Sequence, residues 1–296
     1  PIMADMGFTL SQTTWTFSLA ILMLGLSAGF LGSFAEKIGP KKSGLLAMLF
    51  WVTGLFGTAY ALSVHNLTLL YLFYGIIGGI GLGIGYITPV STLVKYFPNR
   101  PGFATGLAIM GFGFASLIAG PLMQYLVAQV GLVDNFIILG IIYLVVMGAS
   151  SLYLKAPQQK HLTRTTKDKS TMYVHNHGML ANDAMKTWQF GALWWVFFIN
   201  ITCGIGLLSL ASPMAQEAIG MTPAAAASLV GIIGIFNGGG RIAWSTISDY
   251  LGRAQTYILF FIIEIVAFYL LAQTNSALTF QILILLIITC YGGGFA

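Results

Sequence analysis

Arg241 is the residue whose position most needs explaining. It follows Gly238, Gly239 and Gly240 in the stretch FNGGGRIAWSTISDYLGR, Phe236 to Arg253, inside an apolar run of membrane length. Asp249 marks the polar end of that run, and Arg241 lies roughly 12 Å deeper at helical rise. Half of a hydrocarbon layer about 30 Å thick is about 15 Å, which puts the guanidinium close to the midplane. An arginine there costs at least about 2.5–3.5 kcal/mol on insertion scales, and something must offset it. Two chemistries compete. Glu264, at a matching depth of roughly 14 Å on the following run, can form an ion pair with it. Glu264 is also read as the acid inside a span that would carry a coupled proton. The other chemistry is an anion site, since a guanidinium presents a planar fork that holds a carboxylate bidentately. The three glycines would then open space beside the fork, and Asn237 would add a polar contact.

Composition says what kind of element holds these residues. The chain has 296 residues, 57% hydrophobic and only 7% charged, with a mean hydropathy of +0.86. Soluble domains carry about 25% charged residues, so this composition belongs to an all-α integral membrane protein. Apolar windows of about twenty residues predict nine spans, at about 13–34, 44–62, 67–94, 102–129, 133–154, 189–210, 223–248, 255–272 and 277–296. Of the 13 Lys and Arg, all but Arg241 then fall in loops on one side. Opposite loops near 63–66, 130–133, 211–222 and 273–276 carry none. That asymmetry orients the basic side to the cytoplasm and accounts for the net charge of +5 without a nucleic-acid partner. Cys203 and Cys290 lie in apolar runs, as buried small side chains do.

Two turns on the basic side repeat each other. In GFLGSFAEKIGPKKSG (Gly29 to Gly44) and RIAWSTISDYLGRAQ (Arg241 to Gln255), Glu36 aligns with Asp249 and Gly39 with Gly252. Arg253 completes an acid–glycine–base turn, in which the acid caps or pairs and the glycine permits a tight reversal. Matching the halves in register predicts one helix before Pro1 and two after Ala296, hence nine helices of a twelve-helix protein. The domains read as an N-terminal bundle at 1–154, a cytoplasmic linker at 155–188 and a C-terminal bundle at 189–296.

Other patterns point to simpler roles. YGIIGGIGLGIGY, Tyr74 to Tyr86, lacks both the GxGxxG spacing and a Walker lysine; Gly75, Gly79 and Gly83 recur every fourth residue, as close helix packing requires. His175-Asn176-His177 lies in the polar linker, and no metal site, cofactor or catalytic constellation is expected. The Asn66-Leu67-Thr68 sequon stands in a short loop on the non-basic side. An enzyme has little support.

On these residues the chain resembles the major facilitator superfamily and, within it, the oxalate/formate antiporter family. GFGF at Gly111 to Phe114, KYFPNRPG at Lys95 to Gly102, GYITP from Gly85, and FNGGGR followed by SDYLGR carry the resemblance. It implies two six-helix bundles with a central site and alternating access. It also implies that Arg241 contacts a substrate carboxylate within an aromatic cage formed by Tyr86, Phe112, Tyr291 and Phe295. Oxalate carriers show two tyrosines, a tryptophan and a further tyrosine at these positions. Phenylalanine at 112 and 295, with tyrosine at 291, makes a more apolar cage that suits a monocarboxylate such as lactate, pyruvate or formate better than oxalate. The family's second basic substrate residue is expected after Ala296. The expected activity is secondary transport of small carboxylates, by antiport or proton symport, in a bacterial cytoplasmic membrane and as a monomer. The alternatives are a carrier of another small solute in which Arg241 is structural, and a membrane sensor that binds without transporting.

Overall fold

Small polar residues start most of the helices. Thr9 and Gln12 form a reciprocal capping box, Thr9 N donating to Gln12 Oε1 (2.9 Å) and Gln12 N to Thr9 Oγ1 (3.3 Å). Asn66, Thr187, Thr222 and Ser276 each accept from a backbone N–H of the first turn they precede. In the computed structural model, residues 6–157 and 181–295 are described; His175 and His177 and most of the expected linker lie outside them. Two compact units divide the chain, Pro1–Pro157 and Gln158–Ala296.

The first unit holds α1 (Leu10–Ile38), α2 (Pro40–Ser63), α3 (Leu67–Tyr96) and α4 (Pro101–Tyr153). At 53 residues α4 would span about 80 Å if straight, far more than one crossing needs. Gly131 breaks it with φ 86° and ψ 176°, a conformation closed to residues with a Cβ, so α4 is two crossings in succession. The second unit holds one turn at Ala181–Ala184, then α5 (Trp188–Glu217), α6 (Pro223–Leu251), α7 (Arg253–Gln273) and α8 (Ala277–Gly294). Seven of the described helices are long and apolar enough to cross a membrane. Counting α4 twice and adding α6, whose 29 residues are diluted by Asn237, Arg241 and glycines, gives the nine crossings expected.

Glycine rows set the helix spacing in the first unit. The Gly75, Gly79 and Gly83 row of α3 faces α1: a Cβ at Gly79 would stand 2.7 Å from the Ala20 carbonyl oxygen, and one at Gly75 2.9 Å from Leu19 Cβ. Ser27 fills the third notch against Gly83 and also donates to the Ile80 carbonyl at 3.3 Å. Between Tyr71 and Gly78 α3 widens to a π-helix, which brings Gly78 and the Phe73 carbonyl against Gly54 of α2. With few charged groups available, backbone-to-backbone contact of this kind supplies the packing. The apolar core of the second unit lies between α5, α6, α7 and α8, with Leu207, Leu229, Ile284, Ile287 and Ile288 at its centre.

Candidate functional site

Arg241 lies inside the second unit and is 6% exposed. Its Nε donates to Asn237 Oδ1 at 3.0 Å, one helical turn earlier on α6. Its Cζ lies 4.8 Å from the centroid of the Phe295 ring, within cation–π range. Phe295 directly follows α8 and meets Tyr291 edge-on at 5.3 Å and 87°. Arg241, Asn237, Tyr291 and Phe295 are thus brought together by α6 and α8 alone. The first unit pairs the remaining two expected cage residues, Tyr86 and Phe112, at 5.5 Å and 73°.

The glycines before Arg241 act differently from the expectation that all three open space. A Cβ at Gly240 would stand 2.5 Å from the Thr289 carbonyl oxygen, so this glycine admits the backbone of α8. Gly292 does the same from the other helix, against the Asn237 carbonyl. This close crossing is what carries Tyr291 and Phe295 to the guanidinium. Gly239, with nothing within 4 Å of its added Cβ, matches the open-space reading. Glu264 is 5% exposed on α7. Among the described residues the recorded ion pairs are Lys95–Glu36, Lys186–Asp183 and Arg253–Asp249, and Glu264 is in none of them.

Two residues that sequence reasoning passed over flank the cluster. Phe197 of α5 meets the Phe295 ring edge-on at 5.5 Å, and Asn200, one turn further, is fully buried against Gly294. The available signal was an asparagine within an apolar run. Asn66 of the sequon has a local task, accepting from Leu69 N at 3.1 Å as a helix cap. No group of three or more metal-ligating side chains comes together among the described residues.

Comparison with known proteins places this helical chain. The family model described as Major Facilitator Superfamily matches residues 1–296. The chain belongs to the major facilitator superfamily. An uncharacterised MFS-type transporter of Escherichia coli, YhjX, is 30% identical over 293 residues, 98% of this chain and 70% of that protein. The oxalate:formate antiporter of Oxalobacter formigenes is 26% identical over 261 residues, 88% of this chain and 60% of its own length. Human monocarboxylate transporter 12 is 32% identical over 171 residues, which cover 53% of this chain and 32% of that transporter. This is therefore a multi-pass membrane protein of a transporter family.

The two repeated turns of this major facilitator chain share one backbone conformation. Gly39 has φ 83° and ψ 160°, Gly252 φ 94° and ψ 147°. Each ends one helix and starts the next, its carbonyl accepting from the N–H four residues on: Ser43 N at 3.0 Å and Thr256 N at 3.1 Å. Positive φ at both positions explains why glycine stands there. The acids differ in partner. Asp249 takes Arg253 Nη2 at 2.7 Å across its own turn, whereas Glu36 takes Lys95 Nζ at 2.9 Å from the far end of α3. From the second turn a relay climbs α6: Arg253 bonds Ser248, Ser248 Oγ donates to the Ser245 carbonyl at 2.8 Å, and Ser245 donates to the carbonyl of Arg241.

Proposed function

We propose that this chain forms the substrate-bearing part of a secondary active transporter of small carboxylates, working by alternating access in a bacterial cytoplasmic membrane. The observation that carries this reading is the buried Arg241, fixed at its Nε by Asn237 and lying over an aromatic ring. An arginine at membrane depth is expensive unless it serves a ligand, and a guanidinium matches a carboxylate in both charge and shape. Asn237 orients the guanidinium through Nε, and the substrate carboxylate pairs with that guanidinium. Phe295 and Tyr291 form an apolar wall that excludes water and strengthens the charge–charge contact. Tyr86 and Phe112 are the matching wall contributed by the first unit, as the family resemblance implies.

The substrates this site suits are monocarboxylates such as lactate, pyruvate or formate, and oxalate. The names of the relatives, an oxalate:formate antiporter and a monocarboxylate transporter, support the class. Exchange is by antiport or by proton symport; in the latter case Glu264, buried at membrane depth on α7, is the group that takes the proton. Residues 1–154 and 189–296 are proposed as the two bundles, with the linker at 155–188 and the paired turns at Glu36–Gly39 and Asp249–Arg253 on the cytoplasmic side. The test is counterflow of labelled carboxylates into proteoliposomes carrying the full-length protein. Arg241→Gln is expected to reduce counterflow at least about 100-fold, through loss of a charge-assisted bidentate contact. Undiminished counterflow in that variant would falsify the reading.

A further inference from the structure

We infer that Asn200 determines specificity at the Arg241 site by reading an oxygen on C2 of a 2-oxo or 2-hydroxy monocarboxylate; this rests on the carboxylate reading above. Asn200 is 0% exposed, and neither its Nδ2 nor its Oδ1 has a hydrogen-bond partner. A desolvated amide without partners is costly, and such groups persist where something else comes to satisfy them. Asn135 is orphaned in the same way, but it belongs to the first unit, beside Phe136, and not to the unit that holds Arg241.

Three observations tie Asn200 to Arg241. The first is depth. The loop at 218–222 joins α5 to α6, and from it Asn200 lies roughly 26 Å along α5 and Arg241 roughly 27 Å along α6 at helical rise. Phe295 lies at roughly 27 Å from Ala277 at the start of α8, which begins on the same side. The second is contact with a shared helix end. A Cβ on Gly294 would stand 2.8 Å from Asn200 Cγ and 2.9 Å from its Oδ1, while the guanidinium lies over the next residue, Phe295. The third is Phe197, three residues before Asn200 and therefore on the same face of α5, which packs on the Phe295 ring. Arg241 and Asn200 thus bear on consecutive residues of one turn from two different helices.

The chemistry of the amide selects the ligand class. Nδ2 donates to a 2-oxo oxygen; a 2-hydroxyl both accepts from Nδ2 and donates to Oδ1. Acetate and propionate have no such oxygen and would leave the amide unpaired when they bind. A site built to bond a polar substituent rejects the analogue lacking it far more strongly than an apolar pocket rejects a missing methyl. The amide adds no charge, so this second contact does not demand a dianion.

The test uses the full-length protein in proteoliposomes and compares lactate, pyruvate and propionate as inhibitors of labelled lactate counterflow. The native protein is expected to favour lactate and pyruvate over propionate by about tenfold or more. Asn200→Val should shrink that preference to about twofold by weakening lactate and pyruvate while leaving propionate unchanged. Asn200→Thr keeps a hydroxyl in the shape of valine and should retain part of the preference; it is read on its own if the valine variant does not reach the membrane. An unchanged preference in either variant, an equal loss for all three acids, or a native protein that does not prefer lactate to propionate overturns the inference. If Arg241→Gln keeps counterflow, the carboxylate reading itself fails; if it abolishes counterflow while Asn200→Val leaves the preference intact, only the role of Asn200 fails.

Discussion

At the scale of the residue, Arg241 donates from Nε to Asn237 and lies over the Phe295 ring. Both contacts orient the guanidinium plane, and a planar fork is what a carboxylate pairs with. Replacing the fork by a point charge separates the two things arginine offers. Arg241→Lys keeps the positive charge at the same depth but loses the bidentate geometry and the planar stacking surface. The expected outcome is surviving carboxylate binding with KM for counterflow raised roughly 10- to 100-fold, or about 1.4–2.7 kcal/mol. Native KM in the lysine variant would show that charge alone suffices. The depth proposed for the guanidinium rests on the sequence alone, since it needs only helical rise and the distance to Asp249. Its wall was legible only through the family resemblance, since Phe295 and Arg241 are far apart along the chain.

At the scale of the element, the crossings hold together through missing side chains. Glycines were visible as a row on α3, but the helix they face was not; α1 takes that place because Leu19, Ala20 and Ser27 match the three notches. Gly79→Leu is expected to destabilise the protein by about 1–3 kcal/mol or more, because its side chain runs into the Ala20 backbone and Met23 Cβ of α1. Gly111→Ala is the control, with nothing within 4 Å of an added Cβ. A thermal-shift measurement on purified protein checks both: several degrees lost for the first and little change for the second. If Gly79→Leu melts with the native protein, the close α1–α3 contact is wrong. The same geometry corrected the reading of Gly240, which resembled its neighbours in sequence and differs only because α8 crosses there. The serines and threonine below Arg241 on α6 return their hydroxyls to carbonyls of the preceding turn, as Thr246 does to Ile242 at 2.6 Å. That back-bonding is why a polar stretch can remain helical in an apolar layer.

At the scale of the whole molecule, charge and chain geometry act separately. The proposed alternation of loops puts nearly all the basic residues on one side, and a bilayer with an anionic cytoplasmic face is expected to orient such a chain basic side in. A cysteine introduced at Lys155, with Cys203 and Cys290 changed to serine, is expected to react with a membrane-impermeant maleimide only in inside-out vesicles. A cysteine introduced at Ala218 should react only in right-side-out ones. The opposite pattern would reverse the assignment of sides and move the paired turns to the outer face. The ion pairs at those turns are more than surface decoration in one case only: Asp249 is 7% exposed against Arg253, whereas Glu36 and Lys95 are both about half exposed and contribute little to stability.

The sequence by itself supplied the helical membrane architecture and the register of the repeat, and it is the source of the sides and depth proposed for Arg241 and the loops. Those quantities depend on local hydropathy, charge and helical rise, and each is readable without knowing which helices touch. It also showed that Gly39 and Gly252 correspond, since alignment alone relates them. Tertiary structure decided their shared positive φ, the different partners of Glu36 and Asp249, the use of Gly240 as a crossing point and the placement of Phe197 against Phe295 and Asn200 against Gly294. These depend on contacts between segments distant along the chain, and close packing makes such contacts all-or-none: an added methyl group at a glycine notch excludes the neighbouring helix altogether.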